Sequence, residues 1–108
     1  MRQAIVTKYL GPTNTLGARI KASAGHARGL VDHWDYEAGV EENHARVAKV
    51  LAADRGWSGL FVAGMLPSGD GNVFTALPDL HPSDTFETPR AYLGIEGRDW
   101  FYLPARAG

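Results

Sequence analysis

Val40, His44, Val47, Ala48, Leu51 and Ala52 fall on one side of a helix if EENHARVAKVLAADRGW, Glu41 to Trp57, winds at 3.6 residues per turn. That spacing predicts an amphipathic helix with a narrow apolar stripe. Glu41 and Glu42 stand in its first turn, where carboxylates suit the positive end of the helix dipole, and Arg55 stands in its last. Gly56 is placed to end the helix in a left-handed conformation that needs no Cβ, with Trp57 folding back onto the last turn.

Elsewhere the pattern has a period of two. Gln3 to Tyr9 reads as a strand with Ala4 and Val6 on one face and Ile5, Thr7 and Tyr9 on the other. Leu10 to Gly17, LGPTNTLG, is a turn in which Thr13, Asn14 and Thr15 can bond their own backbone. Ala18 to Ser23 returns as a second strand, with Ile20 on one face and Arg19 and Lys21 on the other, so the hairpin has a polar tip and a basic face. Gly29 to Trp34 is a third strand, with Leu30, Asp32 and Trp34 opposite Val31 and His33. Beyond the helix, Leu60 to Met65 and Asn72 to Leu77 flank the turn formers of Leu66 to Gly71. Pro78, Pro82 and Pro89 leave no room for a long regular element, which predicts a surface strap anchored by Leu80 and Phe86. Tyr92 to Ile95 and Trp100 to Leu103 are expected to pair as a last hairpin around Glu96 to Asp99. The expected class is α+β: an antiparallel sheet of about five strands, one main helix packed on one face, and a C-terminal strap or hairpin closing an edge or the other face. A single domain spans 1–108, with 1–77 as its core and 78–108 as an extension.

Composition narrows the function classes. The chain has 108 residues, 44% hydrophobic and 21% charged, as in an ordinary globular domain. It has no cysteine, which removes disulfides and thiol chemistry and fits a reducing cytoplasm. The opening MRQAIVTKYL reads as neither a signal peptide nor a membrane span, so a cytoplasmic protein without membrane partners is expected. The net charge of -1 hides an asymmetry. Arg2, Lys8, Arg19, Lys21 and Arg28 are matched by no acid up to residue 28, giving +5, whereas the remainder sets 6 basic residues against all 12 acids, giving -6. One end of the fold can face an anionic partner while the rest repels it.

IVTKYLGPTNTLGARIKA, followed by Asp32-His33 and by Glu41-Glu42-Asn43-His44, resembles a group of small proteins of bacteria, phages and plasmids. They share the pattern TKYxGPTNxxGxRIKA, then YDH, then ENH, then a Gly-Trp and a final hairpin rich in Gly and Phe. The likeness covers roughly residues 2 to 77 and implies a fold and a mobile-element setting rather than a reaction. The chain departs from the pattern in GHARGLVDHWDYEAGV, residues 25–40, and from Pro78 onward, where a function private to it is expected to sit.

The histidines His26, His33, His44 and His81 are the candidate site builders. Asp32, His33, Glu42 and His44 could meet where strand and helix join, but no HxH or HExxH spacing fixes a metal geometry. His44 lies on the apolar stripe, which favours a buried polar tie between His33 and His44. No GxSxG frame or phosphate loop surrounds the serines, so no catalytic residue, metal or cofactor is expected. Two binding surfaces remain. Lys8, Arg19 and Lys21, with Tyr9 as a ring and Thr13, Asn14 and Thr15 as donors, form a candidate nucleic-acid site, against which stands a pI of about 6.4. Trp34, Tyr36, Phe86, Tyr92, Trp100 and Tyr102, with the acids Asp84, Glu87, Glu96 and Asp99, form a candidate protein-binding surface. The favoured reading is a non-enzymatic protein of a phage or mobile element that occupies a surface of a host protein or ribonucleoprotein complex, as an anti-CRISPR or other anti-defence inhibitor would. A nucleic-acid-binding accessory protein using the basic hairpin is the second.

Overall fold

The computed structural model describes residues 4–25, 28–69, 71–77 and 94–104. The architecture is α+β. Strands β1 (Ala4–Leu10), β2 (Arg19–Ser23) and β3 (Leu30–His33) precede helix α1 (Val40–Asp54), and β4 (Gly59–Met65), β5 (Gly71–Leu77) and β6 (Trp100–Leu103) follow it. They form one antiparallel sheet of six strands in the order β3-β2-β1-β5-β4-β6. The pairings β1–β2, β2–β3 and β4–β5 join strands consecutive in the chain, β6 adds to β4 from far along it, and the sheet exists because β1 joins β5 at the centre.

Strand parity assigns the two faces. Ile5 and Thr7 of β1, Ile20 and Ala22 of β2, Phe74 and Ala76 of β5, Phe61 of β4 and Phe101 of β6 lie under the helix and are buried. They meet Ala45, Val47, Ala48, Leu51 and Ala52 of α1 in one core. The stripe read from the periodicity is the stripe that packs, except that Val40 is exposed. The helix stops as its sequence foretells. Gly56 is left-handed at φ 72, its N–H donates to the Ala53 carbonyl at 3.1 Å, and the Trp57 N–H donates to the Ala52 carbonyl at 2.9 Å. This pair of bonds is the Schellman arrangement, and it turns the Trp57 ring back onto the core.

At the C-terminal end Trp100 to Leu103 adds to β4, with Phe61 opposite Phe101 and Val62 opposite Trp100, while Tyr92 and Leu93 of its expected hairpin partner lie outside the described residues. Glu96 to Asp99 is a turn closed by Asp99, whose carboxylate accepts the Ile95 N–H at 2.8 Å. The Phe101 ring stacks on Phe61 with centroids 4.8 Å apart and planes at 12°, and touches Phe74 at 5.7 Å. Aromatic pairing under the helix explains why this strand joins the sheet beside β4. The proposed strap, 78–93, lies outside the described residues.

A chain cut at Leu77 would therefore lose part of its core. Phe101→Ala should cost about 3–5 kcal/mol, a large share of the roughly 5–15 kcal/mol that holds a domain of this size. Urea unfolding followed by tryptophan fluorescence checks this, and a loss under about 1 kcal/mol would show that β6 is dispensable.

Candidate functional site

The site is built where the first turn of α1 crosses the β1–β5 seam. Thr7 and Asn72 are directly opposed across that seam, on the helix face, and both are buried. Each reaches up to the helix. Thr7 Oγ1 and His44 Nδ1 share a hydrogen bond of 2.6 Å, and the Asn72 amide donates to the Glu41 carboxylate at 2.6 Å. Glu41 and His44 are three residues apart and so share a helix face, which lets two neighbouring polar groups of the sheet meet two of the helix. The β1 and β5 backbones come close at this end of the seam because Gly71, opposite Lys8, has no side chain; a Cβ there would run into the Thr7 carbonyl.

The chain leading into the helix is fixed by Asn43, which is fully buried. Its amide donates to the carbonyls of Asp35 and Gly39, both at 2.9 Å, and its oxygen accepts the Asp35 N–H at 2.9 Å. Gly39 has no side chain to cap α1, so Asn43 reaches back and satisfies the loop from inside the first turn. Arg46 then ties β3 to the helix, donating to Asp32 Oδ2 at 2.7 Å and to the His33 carbonyl at 2.9 Å. That guanidinium, together with the His33 N–H, holds the Asp32 carboxyl below the ordinary carboxylate value. Trp34 is anchored by its N–H on the Ala18 carbonyl at 3.1 Å and stands edge-on to Tyr9, centroids 4.9 Å apart, and to His44 at 6.1 Å.

These constraints leave a cleft of about 380 Å³ at the N-terminal end of α1. Tyr9, Trp34, Val40 and Met65 wall it, and Glu41, His44 and Asn72 form its polar floor. Much of its rim is apolar and open to water: Met65 is 72% exposed, Val40 59% and Tyr9 48%. Burial lowers the His44 pKa below 6.5, opposed in part by the charge of Glu41, so the ring is neutral at neutral pH. Among the described residues no cationic side chain lines the cleft.

The sequence expectations are met unevenly. Tyr9 is on the helix face, opposite Lys8, Arg19 and Lys21, because it alternates with Lys8 along β1, so it cannot serve as a ring beside them. The Thr13 hydroxyl is spent within its own turn, accepting the Leu16 N–H at 3.0 Å, while Asn14 and Thr15 are exposed. Asp32, His33, Glu42 and His44 do not converge: Asp32 is bound to Arg46, and His33 lies on the far face opposite Arg19. The buried tie is Thr7 to His44, not His33 to His44. Among the described residues no group of three or more His, Asp or Glu side chains could hold a metal ion. Trp34 lines the cleft and Tyr36 is 76% exposed beyond it. Trp100, expected to face a partner, is buried on the far side of the sheet and donates its Nε1–H to the Gly94 carbonyl at 3.2 Å. Tyr102 is half-buried, Glu96 is exposed and Asp99 closes the turn. Asp84, Phe86, Glu87 and Tyr92 lie outside the described residues. Asn43, Thr7 and Asn72 were missed; the one signal for Asn43 was an Asn in the first turn of a helix that lacks a capping residue before it.

Comparison with protein-family models, curated proteins and solved structures gives no match to this chain. Among the described residues no helix is long and apolar enough to cross a membrane.

Asn43→Ala leaves the Asp35 N–H without a partner and removes one of two bonds from each of the Asp35 and Gly39 carbonyls, which should cost about 1–3 kcal/mol in chemical denaturation; Asn43→Asp keeps an acceptor for that N–H but turns a carboxylate toward the two carbonyls and should rescue little. A second expectation concerns pH. The His44 pKa is lowered in the fold, so below about 6.5 the unfolded chain binds more protons. Stability is full above that pH and falls as pH drops through the folded value. Asp32, lowered from 3.8, adds a separate loss at more acid pH, since its contribution is present above its unfolded value and disappears as it protonates. Thermal midpoints measured from pH 8 downward should therefore decline from near 6.5, and His44→Gln should flatten that upper step while leaving the acid one.

Proposed function

We propose that this is a non-enzymatic binding protein whose partner seats an apolar or cationic side chain in the cleft at the start of α1. The observation that carries this reading is the cleft's construction: two aromatic rings and a thioether around a carboxylate, with an apolar rim held open to water by a rigid, hydrogen-bonded base. A rim of this kind, with Tyr36 standing beyond it, suits the central anchors of a protein interface. Glu41 and His44 are committed to Asn72 and Thr7, which supports a structural rather than an acid–base use of both.

In its fuller form the proposal is a small protein of a phage or mobile element that blocks a host protein or ribonucleoprotein complex, as an anti-CRISPR or other anti-defence inhibitor does. The wording shared with the TKYxGPTN group supports the setting, and the size of the domain suits an inhibitor that works by occupying a surface.

Met65→Glu and Val40→Glu place charge on exposed positions and should leave the fold intact while abolishing capture of the partner from host lysate. Val31→Glu, also exposed but on the far face, should leave capture unchanged. Quantitative mass spectrometry of the captured proteins decides the matter: equal recovery by all three variants would move the interface elsewhere.

A further inference from the structure

The face of the sheet turned away from the helix carries a second feature. Lys8 and Lys21 are directly opposed across the β1–β2 ladder, and one row further Arg19 is directly opposed to His33 across β2–β3. All four lie on the far face. Among the described strand residues Asp32 is the one carboxylate, and it points to the helix side, bound to Arg46. Among the described residues neither lysine, nor Arg19, nor His33 makes a side-chain ion pair, and Arg19 Nε is buried with no partner.

Like charges placed opposite each other on a ladder destabilise it, so this arrangement works against the fold. The two lysines relieve it by lying apart over glycines. A Cβ built on Gly29 would come within 3.0 Å of Lys21 Cε, and one built on Gly71 within 3.2 Å of Lys8 Cγ. The result is an open pleated surface with three cations on β1 and β2 and an imidazole beside them on β3, on rows about 6.6–6.8 Å apart.

We propose that this far face of β1, β2 and β3 binds the phosphodiester backbone of a nucleic-acid duplex through Lys8, Arg19, Lys21 and His33. A single small anion needs donors that converge on one point, whereas these lie apart on an open surface and suit a repeating row of phosphates. Single strands are held by bases stacked on aromatic rings, and among the described residues none stands beside these cations, since Tyr9 is on the other face. The contact is therefore to backbone alone and indifferent to base sequence. It also leaves the cleft free, because the two surfaces are on opposite sides of the sheet.

Fluorescence anisotropy with two labelled DNA duplexes of unrelated sequence tests this. The wild-type protein should bind both alike, and neutralising about three phosphates should weaken binding roughly 40-fold between 50 and 200 mM salt. Lys21→Glu should reduce affinity at least tenfold while raising the thermal midpoint, because it turns a repulsive pair into an attractive one; a merely misfolded variant would lower it. Lys49→Glu, exposed on the helix, should change neither affinity nor midpoint. The proposal is overturned by any of three results: no duplex binding at 50 mM salt, equal binding by Lys21→Glu, or tighter binding to single strands or to phosphatidylserine vesicles than to duplex.

Discussion

Everything distinctive about this protein rests on the crossing of α1 over the β1–β5 seam. A helix laid on a sheet by apolar contacts alone can slide or rotate with little penalty, since hydrophobic burial has no direction. Here two directed bonds remove that freedom. Thr7 and Asn72, opposite each other in the ladder, are bonded to His44 and Glu41, which share one face of the helix. The bonds are buried or half-buried, where an unmet partner is costly, so they select one axial position and one rotation of the helix. The same seam joins the two halves of the sheet, and what sets the helix also holds the first three strands to the last three.

From that crossing follows the shape of the cleft. With the first turn of α1 held down on the seam, Asn43 draws the 35–39 loop in beside it, and Trp34, just before that loop, is held upright between Tyr9 and His44. The ends of β1 and β4 run out past the helix on this side, carrying Tyr9 and Met65 to the rim. The apolar side chains are exposed because the helix begins here and covers nothing beyond its first turn.

The sheet's other face is divided. Toward β4 and β6 it is apolar and in part covered, with Leu60 and Trp100 buried; toward β1, β2 and β3 it is open and basic. The charge asymmetry of the chain is thus expressed in part as geography: Lys8, Arg19 and Lys21 gather at one end of one face, and Asp32, the acid of β3, is drawn to the opposite side by Arg46.

Local period and turn chemistry were enough to determine most of the elements. The 3.6-residue stripe, Gly56 as terminator, the LGPTNTLG turn and the Leu66 to Gly71 turn each act through neighbours a few residues away, and strand alternation alone put Arg19 and Lys21 on one face. Partners distant in the chain were decided by the tertiary structure. The strand Trp100–Leu103 was visible as a strand, but its choice of β4 depended on Phe61 and Phe74 offering rings to Phe101 under the helix. His44 could be read as a polar tie from its place on an apolar stripe, yet its partner is Thr7, which became available only once β1 had been seated at the centre of the sheet. The cleft has no counterpart in the linear pattern, because Tyr9, Trp34, Val40 and Met65 belong to four separate segments whose side chains meet only after the helix has been placed over the seam.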